Sequence, residues 1–345
     1  MSTNKSTWKK LTSMRLFMPL VCLLAIIIVA TITIPGFLSM SLKNGVPYGY
    51  PVDVINRASE LVILSVGMTL VTAASGGQDI SVGAVMAVAG AVCCQILSGG
   101  EVSVNSLSAP IIVAFLAALV ASGICGAFNG FLVAKLNIQP MVATLILYTA
   151  GRGIAQLITD GQITYVRVDS YRVLGASFPG FPVPIIAYVI LKKTALGLYI
   201  ESVGINGTAS RLVGLNSTMI KFLTYLICGV LAGVAGFVAS SRIYSADANN
   251  IGLNLEMDAI LAVALGGNAL GGGKFSLMGS VIGAYTIQAL TTVLYGLNVS
   301  ADQLPVYKAI VVVVIVVLQS PVFKKFIAVQ KEKRTSKAAV KGGAN

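Results

Sequence analysis

Charged side chains are scarce here, so the few that interrupt apolar stretches are where chemistry can be sought. Asp79 lies in Ser75-Gly76-Gly77-Gln78-Asp79-Ile80-Ser81-Val82-Gly83, a polar break in a long apolar region. A carboxylate at membrane depth is costly unless it faces a cavity or is paired internally, and interrupted segments of this kind line pathways in transporters. The plainer reading of the same residues is a short turn in which Asp79 caps the following helix. A second break runs from Leu255 to Gly273, with Glu256, Asp258 and the run Gly266-Gly267-Asn268-Ala269-Leu270-Gly271-Gly272-Gly273, followed by Lys274. A phosphate-binding loop needs Gly-x4-Gly-Lys-Ser/Thr. Asn268 stands at its first position and Phe275 at its last, so the match fails at both ends. A broken helix beside a pathway, mirroring 75–83 in the other half, fits better.

The third distinctive stretch is the long polar segment Lys192 to Asn216. Within it, Asn206-Gly207-Thr208-Ala209-Ser210-Arg211-Leu212 reads as a turn, a helix start and a short amphipathic helix. Its length suits a docking surface for a partner. Polar residues at membrane depth should face a cavity or tie helices together; Gln78, Asp79, Asn129, Gln139, Arg152 and Asp258 are the candidates for a translocation pathway.

Enzyme chemistry finds little to work with. The chain has no histidine, which removes the commonest general base and metal ligand. Cys22, Cys93, Cys94, Cys125 and Cys228 all fall in apolar stretches without a CxxC spacing, so they read as small packing residues and no metal site is expected. An ion-coupled carrier of a small polar solute, the alternative, would want several intramembrane carboxylates. Only Glu60, Asp79 and Asp258 qualify, and none has a carboxylate partner at helical spacing.

These segments are positioned by a chain of 345 residues, 56% hydrophobic and 10% charged, with a mean hydropathy of +0.87. Soluble domains carry roughly a quarter charged residues, and apolar runs of membrane-spanning length recur here. The expected fold is therefore an all-α integral membrane domain over 16–320, with a basic N-terminal segment 1–15, a basic tail 321–345 and a cytoplasmic segment 192–218. Ten spans are predicted, near 16–38, 58–75, 80–98, 110–134, 140–159, 179–191, 219–240, 255–271, 276–297 and 305–320. The apolar run at 16–38 is too long for a signal peptide and lacks a small-x-small cleavage site, so it reads as an uncleaved first span.

Charge sets the orientation. With a cytoplasmic N-terminus, the inner segments hold Lys5, Lys9, Lys10, Arg15, Lys135, Lys192, Lys193, Arg211, Lys221, Lys274 and the seven basic residues between Lys324 and Lys341, which is 17 of 24. Asp53, Glu101, Asp160, Asp169, Asp247 and Asp302 fall on the other face. That asymmetry predicts both termini in the cytoplasm. It also accounts for the net charge of +12 as a topology signal, with no nucleic-acid partner. The span at 179–191 is odd: at 1.5 Å per residue it covers roughly 20 Å, short of a hydrocarbon core about 30 Å thick. Gly126–Gly130, Gly229–Gly233 and Gly279–Gly283 are spacings that let helices approach closely in lipid.

Taken together, these stretches resemble the permease subunits of bacterial ABC importers for monosaccharides, the ribose, xylose, galactose and galactofuranose group. Gly77-Gln78-Asp79-Ile80-Ser81-Val82-Gly83 is similar to that family's Gly-x-Asp-x-Ser-x-Gly element. Leu255 to Ile260 running into Gly266-Gly267-Asn268 and Gly271-Gly272-Gly273 is similar to its second signature. Gly197 to Asn216 resembles its ATPase-coupling segment, with Gly204, Asn206, Ala209, Ser210, Arg211 and Gly214 as the matching positions. The order of the three elements holds from about 55 to 320.

The resemblance implies a pore of two permease copies, identical or related, in the bacterial inner membrane. It further implies two cytoplasmic ATPase subunits that bind the ATP, an extracytoplasmic sugar-binding protein, and no cofactor on this chain. Leu198 stands where the family usually has arginine, and Gln78 where leucine is common. The 179–191 span is shorter than the family's helix, which predicts a coupling segment displaced relative to the pore.

Overall fold

The computed structural model describes residues 16–43, 46–176 and 182–319. The segments 1–15 and 321–345, and the start of the predicted span at 179, lie outside the described residues. In chain order the helices are α1 (Phe17–Thr33), α2 (Tyr50–Ser75), α3 (Val82–Ser98), α4 (Ile111–Gly130), α5 (Pro140–Ile158), α6 (Asp169–Ala176), α7 (Pro182–Lys193), α8 (Leu196–Ile205), α9 (Gly207–Leu212), α10 (Ser217–Ile243), α11 (Leu255–Leu265), α12 (Leu277–Gly296) and α13 (Leu304–Gln319). A π-helical turn, Phe131–Lys135, extends α4. Five helices are long and apolar enough to cross a membrane, or up to six if the bent pair α7–α8 is one span; α1, α3 and α13 are shorter apolar helices. Strands are confined to a hairpin, β1 (Ser41–Lys43) and β2 (Val46–Tyr48), and to a small sheet of β3 (Ser103–Val104), β4 (Thr164–Val166) and β5 (Ser245–Ala246). β3 runs parallel to β4, with Ser103 opposite Tyr165, and β5 antiparallel, with Thr164 opposite Ala246.

Residues up to Thr292 form one compact unit. At its centre α10 packs against α4, α2, α3 and α6. The α4–α10 crossing follows from missing β-carbons. A methyl group on Gly126 would lie 2.5 Å from Tyr225 O, and one on Gly229 2.6 Å from Gly126 Cα, so the two backbones touch without a side chain between them. Residues from Val293 form a second unit, whose described part holds the last turn of α12 and the apolar α13.

Two elements depart from the expected spans. The span predicted at 255–271 is a helix only over Leu255–Leu265. It starts after Asn254, in the left-handed region at φ 64°, and stops at Gly266, so glycine-rich turns replace its second half. The segment after Lys193 is not wholly polar loop: α8 is an apolar helix joined to α7 by a bend of 80°. Its Ile200 and Val203 are buried with Leu70, Ala73 and Ala74 of α2 and Ile220 of α10.

The α4–α10 contact can be tested by adding one methyl group. Gly229→Ala forces two backbones apart and should lower stability by about 1–3 kcal/mol, as overpacking does. Gly153→Ala, with no atom within 4 Å of the added carbon, should leave the melting temperature of the detergent-solubilised protein unchanged. Equal melting temperatures for both variants would show that the crossing is not tightly packed.

Candidate permease site

α2 ends at Ser75 with Gly76 in the left-handed region, and α3 begins only at Val82. In the gap Asp79, 2% exposed, is hydrogen-bonded within its own half of the chain. Its Oδ1 accepts from the Ser81 N–H at 2.9 Å, the Ser81 hydroxyl at 2.6 Å and Asn129 Nδ2 at 3.4 Å. Asn129 also donates to Ser81 Oγ at 2.8 Å, and Thr144 Oγ1 accepts the Ile80 N–H at 3.2 Å. Asp79 therefore holds the residue that precedes α3, not the amides inside its first turn.

The second break is organised by Asn268. Its Nδ2 donates to Val263 O at 3.2 Å, Ser276 O at 3.3 Å and Ser280 Oγ at 2.8 Å, while its Oδ1 accepts the Ser276 N–H at 2.5 Å. One amide thus joins the end of α11 to the start of α12. Thr69 of α2 reaches the same knot through its hydroxyl, 2.6 Å from Ser280 Oγ.

The two breaks meet. Gln78 Nε2 donates to Leu270 O at 3.2 Å, and the Gly273 N–H donates to Ala73 O at 2.9 Å. Gly204, at the end of α8, closes the seam from a third side: a β-carbon there would collide with Ala73 O and stand 2.7 Å from Gly273 N. Glu201 Oε1 also accepts the Phe275 N–H at 3.4 Å. So α8 rests directly on both broken segments.

Beyond Gly204 the chain turns outward. Asn206 Oδ1 caps α9 by accepting from the Thr208 N–H at 3.1 Å and the Ala209 N–H at 3.0 Å, as helix caps do. Ser210 is buried and donates to Asn206 O at 2.9 Å. Arg211 folds back on α10, with Nε 2.5 Å from Ser217 Oγ and Nη2 3.3 Å from Thr218 Oγ1. Gly214 has φ +86° and turns the chain into α10. Ala209 is exposed, and Leu212 and Val213 are 85% and 76% exposed.

Of the other candidates, Arg152 on α5 donates through Nη1 to the carbonyls of Ala248, Asn249 and Ile251 at 3.2, 2.9 and 3.1 Å, clasping the loop that leads into α11. Asp258 is buried in the first turn of α11. Gln139 is exposed at the start of α5 and makes no side-chain cap there, so it stands apart. Sequence reasoning missed Asn268 as an organiser, because asparagine between glycines reads as turn material. Among the described residues no group of His, Cys, Asp and Glu could hold a metal ion.

Residues 50–319 match the family described as the branched-chain amino acid transport system / permease component. The chain is 42% identical over 325 residues to the galactofuranose transporter permease protein YtfT of Escherichia coli (strain K12), covering 92% of each chain. It is 38% identical to the fructose import permease protein FruF of Bifidobacterium longum (strain NCC 2705), over 97% of this chain and 96% of that one. To the ribose import permease protein RbsC of Escherichia coli (strain K12) it is 34% identical, over 87% and 92%. No solved structure matches it. These relatives lend no support to an ion-coupled carrier, and with the apolar helices they mark a multi-pass protein of the bacterial inner membrane that is not itself an enzyme. The chain belongs to the branched-chain amino acid transport system / permease component family, among relatives named as sugar-import permeases.

Proposed function

We propose that this chain forms the membrane pathway of an ATP-driven importer for a monosaccharide, and that ATP is bound and hydrolysed on a separate ATPase chain. The observation that supports the reading is an exposed apolar end of α9, Leu212 with the following Val213, while α8 behind it meets Ala73 of α2 and Gly273 of the second break at Gly204. A push on α9 from a cytoplasmic ATPase therefore reaches Ala73, Gly273 and, one hydrogen bond further, Gln78. Gly204, Asn206, Ala209, Ser210, Arg211 and Gly214 form the coupling segment within 192–218. Gln78, Asp79, Asn129, Arg152 and Asp258 serve the pathway, with Gln139 at its cytoplasmic mouth. No cofactor is assigned to this chain.

In this reading a single permease domain spans 16–320 with ten crossings and both ends in the cytoplasm, supported by the Lys/Arg asymmetry. The sixth crossing is the span near 179–191, whose described part lies in α7, and the eighth is the span near 255–271, which α11 begins. The partners are the ATPase, an extracytoplasmic sugar-binding protein, a second permease copy and the lipid bilayer.

Two outcomes are expected. Purified in mild detergent from a cell that also expresses its neighbouring ATPase, the chain should bring that ATPase down in near-equal amount. Leu212→Asp with Val213→Asp should cut recovery about thirtyfold, the effect of losing roughly 2 kcal/mol of interface contact. Partner-free protein that transports without ATP would sink the reading. Second, Asp79→Asn weakens the charge-assisted bonds to Ser81 and Asn129, each worth about 1.5–3 kcal/mol. It should reduce sugar uptake by proteoliposomes about tenfold while the assembled complex elutes unchanged; full uptake would make the Asp79 charge dispensable.

A further inference from the structure

Glu256 is the one carboxylate in the second break that the pathway reading leaves without a task. It is 1% exposed, in the first turn of α11. Neither carboxylate oxygen meets a side-chain donor among the described residues; the polar groups acting on it are the backbone amides of Glu256 and Asn254, the Arg152 guanidinium, which forms no ion pair with it, and the like charge of Asp258. Arg152 is the complement. Its Nη1 is fully used on the 248–251 carbonyls, whereas Nε and Nη2 are buried and have no acceptor.

The two are held in one frame. The guanidinium is anchored to the loop that becomes α11 only a few residues before Glu256, so the distance between them is set by local backbone. Closing them into a salt bridge would require releasing those carbonyl bonds. Both flank the first turn of α3. Gly151, beside Arg152, packs on Ala84, with its absent β-carbon 3.1 Å from Ala84 Cβ, and the Glu256 carboxylate fills the space a side chain on Gly83 would need. Depth follows from length: α11 rises roughly 16 Å from the seam with the coupling segment, about half of a hydrocarbon core near 30 Å thick.

We propose that Glu256 and Arg152 form the solute-contact site at the middle of the pathway, for a neutral polyhydroxylated solute. The inference rests on the importer reading above. A hydroxyl both donates and accepts. Adjacent hydroxyls can donate hydrogen bonds to the two oxygens of Glu256 and accept from Nε–H and Nη2–H of Arg152, the atoms of this pair that the protein leaves without a side-chain partner. The pair carries no net charge, so it favours neither an anion nor a cation. A buried carboxylate and guanidinium with unmet hydrogen bonds are strongly unfavourable when left so, which is why a passing hydroxyl-rich solute is held there. The first turn of α3 must move to admit it; at Gly83 that turn meets the Glu256 carboxylate and the Gly252 carbonyl with no side chain of its own.

The test is the reconstituted complex with its ATPase and binding protein, assayed with radiolabelled D-ribose, D-fructose and D-galactose and with simultaneous measurement of ATP hydrolysis. The expected result is that Glu256→Gln lowers the sugar moved per ATP at least tenfold, with binding-protein-stimulated hydrolysis within twofold of wild type. If that variant does not assemble, Glu256→Asp, which keeps the charge but withdraws it by one methylene, should show the same loss per ATP. An unchanged ratio in either assembled variant overturns the site alone, as does a parallel fall in transport and hydrolysis, the signature of a structural role. Failure of the wild-type complex to take up any of the three sugars overturns the importer reading together with this occupant. Wild-type uptake of L-leucine in their place would reassign the pair to a zwitterion.

Discussion

The structure depends on backbone meeting backbone where the membrane offers no water. Helices in lipid must satisfy their own polar groups, so a chain that breaks two of its helices has to supply partners for the freed amides and carbonyls. This chain does so by bringing the breaks together and removing the side chains between them. Ala73 O is the clearest case: it accepts from the Gly273 N–H at 2.9 Å, and Gly204 approaches the same carbonyl so closely that no β-carbon fits. Asn268 and Asp79 then act as clamps on either side. Each replaces lost helical hydrogen bonds with side-chain ones.

How much of this is legible in the sequence depends on what each residue must do. The boundaries of α5 and α12 are predicted to within a residue or two, because each is a largely apolar run of spanning length with polar or loop-forming residues at both ends. The breaks at 75–83 and 266–273 are equally plain, since glycine beside a charge in an apolar region has few explanations. α11 is misjudged in length because apolarity continues past Leu265 through Ala269 and Leu270, whereas its helix ends at the glycines. α8 is hidden by polar neighbours: Lys192, Lys193 and Asn206 frame a helix whose own residues, Leu196 to Ile205, are largely apolar.

Glu256 escapes for a different reason. Asp258 lies two positions away, and residues two apart do not share a helix face. Spacing alone cannot say which carboxylate turns toward Gly83 and Arg152. The choice is made by the loop 247–254, whose carbonyls collect Arg152 and whose last residue, Asn254, adopts a left-handed conformation that sets the phase of α11. That is long-range information, joining residue 152 to a turn about a hundred positions later, and no local pattern carries it.

The short helix α7 leads into the same seam. α7 is helical for 12 residues from Pro182 and then bends by 80° into α8. A shortened α7 would displace α8 only if α8 took its position from that helix. It does not. α8 is fixed by Ile200 and Val203 against Leu70, Ala73 and Ala74, by Gly204 on Ala73 and Gly273, and by Glu201 on the Phe275 amide. Those contacts belong to α2 and to the second break, so the position of α8 against them does not depend on the length of α7.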